Sequence, residues 1–67
     1  MREPLTPREQ EAFDLYTAGN RLGEVAQLMG ITKRGARWHL DRCRVKFGVT
    51  HRHELVKIGQ SYGKGTQ

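Results

Sequence analysis

The sequence predicts an all-α fold, a compact four-helix domain, and three observations carry that prediction. Apolar residues recur at helical spacing in two stretches: Leu22, Val25, Ala26 and Met29, then Ala36, Leu40, Cys43 and Phe47. Threonines suited to helix N-caps (Thr6, Thr32, Thr50) precede helical stretches, and glycines that can close a helix (Gly19, Gly30, Gly48) follow them. Only Gly30 and Ile31 separate the second helical stretch from Thr32, so the second and third helices must cross steeply. With 67 residues the chain makes one small domain, expected over residues 1–59, with 60–67 as a flexible C-terminal tail.

Residues 1–4 read as a frayed terminus. Leu5-Thr6-Pro7-Arg8-Glu9 then starts the first helix: Thr6 suits the N-cap, Pro7 the first helical position, and Glu9 completes a capping box. Leu5 stands where it can pack back onto that helix as a staple. Ala12, Phe13 and Tyr16 form its inward face, and Gly19-Asn20 ends it. The second helix keeps Glu24 and Gln27 outward and stops at Gly30. Ala26 sits where the second and third helices come closest, and Ile31 plugs the angle between them. This is helix-turn-helix geometry. The third helix runs from about Lys33 to Phe47. Its first turn is its weak part, because Gly35 costs ~1 kcal/mol relative to alanine in a helix interior. After the break at Gly48-Val49-Thr50, a fourth helix is expected over about 51–59, with Leu55, Val56 and Ile58 as its apolar members.

A core of this size is thin, and domains this small often gain stability from a disulfide, a metal or a partner chain. The single cysteine excludes an internal disulfide. Cys43 lies on the apolar stripe, as a small core hydrophobe that suits a reducing cytoplasm. No apolar run is long enough to span a membrane, and no signal-peptide core is present. Self-association remains as the further source of stability. The formal charge is +5 and the pI about 10.0. The charge is unevenly placed: residues 1–30 carry net −2 and residues 31–67 net +7, a near-neutral support half and a basic contact half.

The third helix concentrates the chemistry. With its apolar stripe inward, Arg34, Arg37, Trp38, Asp41, Arg42 and Val45 point outward, Lys33 and Arg44 lie on one shoulder, and His39 and Lys46 on the other. The major groove of B-DNA admits one α-helix. In helix-turn-helix proteins the second helix of the motif enters it. On that reading Arg37, Trp38 and Asp41 face the bases: arginine pairs bidentately with guanine, aspartate accepts from the cytosine amino group, and Trp38 makes apolar contact. Thr32, Lys33 and Arg34 at the helix start, with Arg42 and Lys46 further along, reach phosphates. A basic helix face can also be merely solvated, or meet an acidic protein or a membrane surface, and an exposed tryptophan can anchor a protein interface. His39, Cys43, His51 and His53 fit no structural zinc spacing, so no metal is expected. His39 reads as a packed or phosphate-bonding residue at the core's edge. No cofactor loop or catalytic constellation is visible, and an enzyme is not expected.

In order, Leu5-Thr6-Pro7-Arg8-Glu9 with Glu11, Gly19, Glu24-Val25-Ala26 with Leu28, Gly30-Ile31-Thr32, His39-Leu40, Lys46-Phe47-Gly48-Val49 and the Arg52 to Leu55 region resemble the LuxR-type helix-turn-helix domain. That family includes quorum-sensing regulators and response-regulator output domains. The resemblance spans residues 5–59. Trp38-His39 and residues 46–50 look most like the branch responsive to acyl-homoserine lactones. It implies a domain that binds inverted-repeat double-stranded DNA as a dimer, with the fourth helix (Leu55, Val56, Ile58) at the dimer contact. It also implies that Arg37 stands at the family's base-contacting lysine, with Trp38 and Asp41 at the next reading positions, and that Glu9 ties the first helix to a basic partner. The family usually has Thr-Val where Gly35-Ala36 stands, and a neutral or basic residue at Asp41. These departures motivate a second expectation, a small protein that forms heterodimers with full-length LuxR-type regulators and modulates them.

Overall fold

The structure, a computed structural model, describes the backbone of residues 4–62 and the side chains of residues 4–59. Four helices follow one another: α1 (Pro7–Thr17), α2 (Leu22–Met29), α3 (Lys33–Phe47) and α4 (Glu54–Tyr62). Among the described residues there is no strand.

The first three helices begin, and α2 and α3 end, by identifiable chemistry. At α1 the Thr6 hydroxyl accepts from the Glu9 N–H (3.2 Å) and the Glu9 carboxylate accepts from the Thr6 N–H (3.0 Å), the reciprocal capping box. At α2 the Glu24 carboxylate accepts from the Arg21 N–H at 2.7 Å. At α3 the Thr32 hydroxyl accepts from the Gly35 N–H at 3.0 Å. Gly30 and Gly48 close α2 and α3 with φ of 69° and 72°. The following N–H reaches back in each case, Ile31 to the Ala26 carbonyl (3.0 Å) and Val49 to that of Arg44 (3.1 Å). That closure needs a residue in the left-handed region, which glycine reaches without a Cβ clash.

α3 is the central element. It packs on α1 and α2, while α4 closes against α1. Ala36, Leu40 and Cys43 are fully buried with Ala12, Val25 and Leu55, and Phe13, Ala26 and Met29 complete the core. Phe47 stacks on Phe13 with ring centroids 5.2 Å apart. The first turn of α3 is better held than glycine propensity suggests. Gly35 donates to the Thr32 cap, and Ala36 next to it has no exposed surface.

Three local expectations differ from the structure. α4 starts at Glu54, not at His51. Residues 50–53 form a turn in which the Glu54 carboxylate accepts from the Thr50 and His51 N–H groups (2.9 and 3.1 Å), so the cap is supplied from inside the helix and not by Thr50. α4 also runs through Gly59 to Tyr62, so 60–62 are helical backbone, and 63–67 lie outside the described residues. Gly59 is buried inside the helix because α1 lies against it; a Cβ there would overlap Thr17. Finally, Pro4 is tied down, its carbonyl accepting from the Lys46 ammonium at 3.2 Å, while residues 1–3 lie outside the described residues.

Leu55, expected at a dimer contact, is instead fully buried in the core. α4 closes against α1, and that packing takes Leu55 inward. Val56 and Ile58 are half-buried, and Ile58 packs against the core cluster.

Candidate nucleic-acid interface

Because α3 buries Ala36, Leu40 and Cys43, the opposite side of the helix must face solvent. Arg34, Arg37, Trp38, Arg42 and Val45 are all exposed there, Lys33 is exposed on the shoulder of the first turn, and Thr32 is exposed at the helix start. Trp38 and Val45, 58% and 60% exposed, are apolar surface that the fold itself leaves uncovered. The three expected base-reading residues therefore lie together on one helix face, Arg37 and Trp38 exposed and Asp41 half-buried.

The charged side chains on this face are partly organised already. Asp41 lies 3.8 Å from Arg44, one helical turn on. Arg44 in turn donates to the carbonyls of Val49 (3.4 Å) and Thr50 (3.3 Å), so it ties the end of α3 to the following turn. The Arg42 guanidinium lies over the Trp38 ring at 5.8 Å and within 3.7 Å of the Glu9 carboxylate, while its side chain stays half exposed.

Lys46 departs from its expected role at phosphate. Its side chain is 9% exposed and its ammonium sits 2.7 Å from the Glu9 carboxylate, itself almost wholly buried. Lys46 belongs to the structure and does not face the groove side. The sequence placed it on a shoulder of the helix, but a partner on another helix decides which way a shoulder residue turns. Burial pushes the Glu9 carboxyl up. The Lys46 and Thr6 hydrogen bonds and the Lys46 and Arg42 charges outweigh that effect and leave it below the ordinary glutamate value. Glu9 thus ties α1 to α3, through Lys46 and Arg42.

Cys43 is fully buried, its thiol donates to the Glu9 carbonyl at 3.3 Å, and burial pushes its pKa up to about 12. It is a core residue, neither nucleophile nor ligand at neutral pH. Among the described residues no group of three His, Cys, Asp or Glu side chains is placed to hold a metal ion. His39 is half-buried, edge-on to Trp38 with centroids 5.3 Å apart, and its Nδ1 is enclosed.

Two basic grooves flank the exposed face. One, of about 660 Å³, lies between the N-terminal ends of α2 and α3 and is lined by Arg21, Glu24, Gln27, Lys33 and Arg52. The other, of about 340 Å³, runs between α3 and the 50–53 turn and is lined by Arg37, Asp41, Arg44 and Arg52 with His51 and His53. Arg52 lines both. Sequence reasoning left Arg21 and Arg52 out of the site because neither lies on α3. The net +7 of the second half and the family resemblance over Arg52 to Leu55 were the signals pointing toward Arg52.

The model of the luxR family of bacterial regulatory proteins matches residues 3–58, which take in α1 to α3 and the first part of α4. The chain belongs to that family. It is a family of helix-turn-helix DNA-binding domains of transcriptional regulators, not an enzyme family. Similar proteins include the transcriptional regulatory protein MctR of Rhizobium johnstonii, 34% identical over 61 residues, which are 91% of this chain and 28% of MctR. The transcriptional activator proteins AhyR of Aeromonas hydrophila and AsaR of Aeromonas salmonicida are each 36% identical over 62 residues, 92% of this chain and 24% of theirs. The chain thus spans about a quarter of the length of these luxR-family relatives. No solved structure gives a significant match. Among the described residues no helix is long and apolar enough to cross a membrane.

Proposed function

We propose that this chain is a sequence-specific DNA-binding domain for transcriptional regulation in the cytoplasm, which lays α3 in the major groove of double-stranded DNA. The observation that carries the reading is the two-sidedness of α3: one side is fixed in the core by Ala36, Leu40 and Cys43, and the other presents Arg34, Arg37, Trp38 and Arg42 to solvent. Arg37 reads guanine, Asp41 accepts from a cytosine amino group, and Trp38 packs on a thymine methyl or a sugar edge. Thr32, Lys33 and Arg34 hold phosphates at the helix start, and Arg42 holds one further along. The Asp41–Arg44 pair supports this assignment, since it offsets the repulsion a lone carboxylate would feel from phosphate.

The domain acts as a homodimer on an inverted-repeat site. With Leu55 in the core, Val56 and Ile58 on α4 are what remains of the expected contact. The alternative reading, a heterodimer partner that silences longer relatives, drew its motive from Gly35-Ala36 and Asp41. The capped first turn, the buried Ala36 and the paired Asp41 favour direct DNA binding over it.

Selection of binding sites from a random duplex pool at two salt concentrations tests the proposal. The expected result is a two-fold-symmetric consensus whose enrichment falls as salt rises. Recovery of unselected sequence at low salt would leave only nonspecific binding, and an empty selection would exclude DNA as the partner.

A further inference from the structure

The groove between α3 and the 50–53 turn holds two residues that the reading face does not use, His51 and His53. Their rings are stacked, 8° from parallel with centroids 5.4 Å apart, and both side chains are exposed. Across the groove stand Arg37, Arg44 and the Asp41 carboxylate from α3, with Arg52 in the turn, so the lining is net positive toward an anion entering it. The volume of about 340 Å³ is far above the ~30 Å³ share of one water and leaves room for a hydrated phosphate.

The groove is also pre-shaped. Arg44 holds the Val49 and Thr50 carbonyls from one side, and Glu54 holds the Thr50 and His51 N–H groups from the other. The turn that carries the histidines is therefore pinned before any ligand arrives. Because the groove shares Arg37 and Asp41 with the reading face, DNA lying on α3 brings its backbone to the groove's mouth.

We propose that this groove seats a backbone phosphate of bound DNA, and that seating it draws a proton onto the His51–His53 pair, so that DNA affinity rises as pH falls. The proposal rests on the DNA reading above. Its sign follows from linkage. Imidazole changes charge between pH 5 and 8. The groups around the rings are Arg37, Arg44 and Asp41 from α3, Arg52 in the turn, Glu54 at the start of α4 and the Tyr16 hydroxyl from α1. A phosphate adds negative charge beside the rings, so binding takes up protons, and a ligand that binds with proton uptake binds more tightly at lower pH.

The test is the affinity of the full chain for a labelled random-sequence duplex in phosphate-free buffer at pH 6 and pH 8, at equal ionic strength. Wild type is expected to bind about 10-fold more tightly at pH 6. The His51→Asn/His53→Asn variant, which keeps His39, should change less than ~2-fold. The charge-locked His51→Lys/His53→Lys variant should lose the pH dependence while binding more tightly than wild type at pH 8. Circular dichroism at both pH values confirms that each variant is folded. A pH dependence unchanged in both variants would overturn the groove and leave the DNA reading intact. No binding by wild type at either pH would remove both. Histidine ring resonances of His51 and His53 that do not move when the duplex is added would overturn the proposal.

Discussion

At the scale of single residues, the domain separates side chains that read from side chains that hold. Arg37 is exposed, on the face opposite the core, and its guanidinium has the fork geometry that matches guanine. Arg37→Ala is expected to cost ~1–3 kcal/mol of DNA affinity and to relax preference at one base position, read by competition among single-base variants of the selected site. Unchanged affinity and preference would remove Arg37 from the reading set. Glu9 is the opposite kind of residue. Its carboxylate is buried against Lys46 and held below its ordinary value, so its contribution to stability is full above the unfolded pKa and lost as pH falls through the folded one. Unfolding midpoints by circular dichroism should therefore be flat near neutrality and fall on acidification below the ordinary glutamate range. Glu9→Gln should flatten that acid limb. It should also cost ~3–5 kcal/mol at pH 7, because Lys46 is left buried with its charge unpaired.

At the scale of elements, contacts between helices decide what a glycine is for. Gly59 lies in α4 where a Cβ would overlap the Cβ and Cγ2 of Thr17, a β-branched side chain with no slack, since its hydroxyl donates to the Phe13 carbonyl at 2.8 Å. Gly59→Ala is expected to destabilise by ~1–3 kcal/mol through overpacking of the α1–α4 crossing. Gly23 is an exposed glycine in the first turn of α2 with open space around it. Gly23→Ala should be neutral or stabilise by up to ~1 kcal/mol, from helix propensity alone. Urea unfolding of the two variants side by side checks the pair, and a Gly59→Ala protein as stable as wild type would contradict the close packing of α1 on α4.

At the scale of the whole molecule, the charge step along the chain becomes a charge gradient in space. α1 and α2 supply support, and α3 with the 50–53 turn supplies the basic surface between the two grooves. Binding to B-DNA releases counterions, so log affinity should fall linearly with log salt, by ~0.9 in slope for each phosphate neutralised. Lys33→Ala should lower that slope by about 1, with sequence preference retained, since a phosphate contact carries no base information. Lys46→Met should leave the slope as it is, because that charge already belongs to Glu9. Equal loss of slope in both variants would contradict the division between the exposed and the buried lysine.

Local chemistry was legible in the sequence alone. The first three helices, the Thr6–Glu9 capping box, the closures at Gly30 and Gly48 and the outward set on α3 apart from the half-buried Asp41 all follow from spacing and neighbouring residues, which act over a turn or two of backbone. The family was legible too, because its motifs are strung in order along the chain. The tertiary structure alone decided the matters that depend on a partner distant in sequence. Lys46 turned inward because Glu9, 37 positions earlier, supplies a buried counter-charge. Leu55 went to the core and Gly59 stayed inside α4 because α1 packs there. The two basic grooves exist because the 50–53 turn and the start of α2 fold back beside α3. A sequence shows which face a helix would bury; only the packed neighbours determine which of its edge residues are taken and which are left free for DNA.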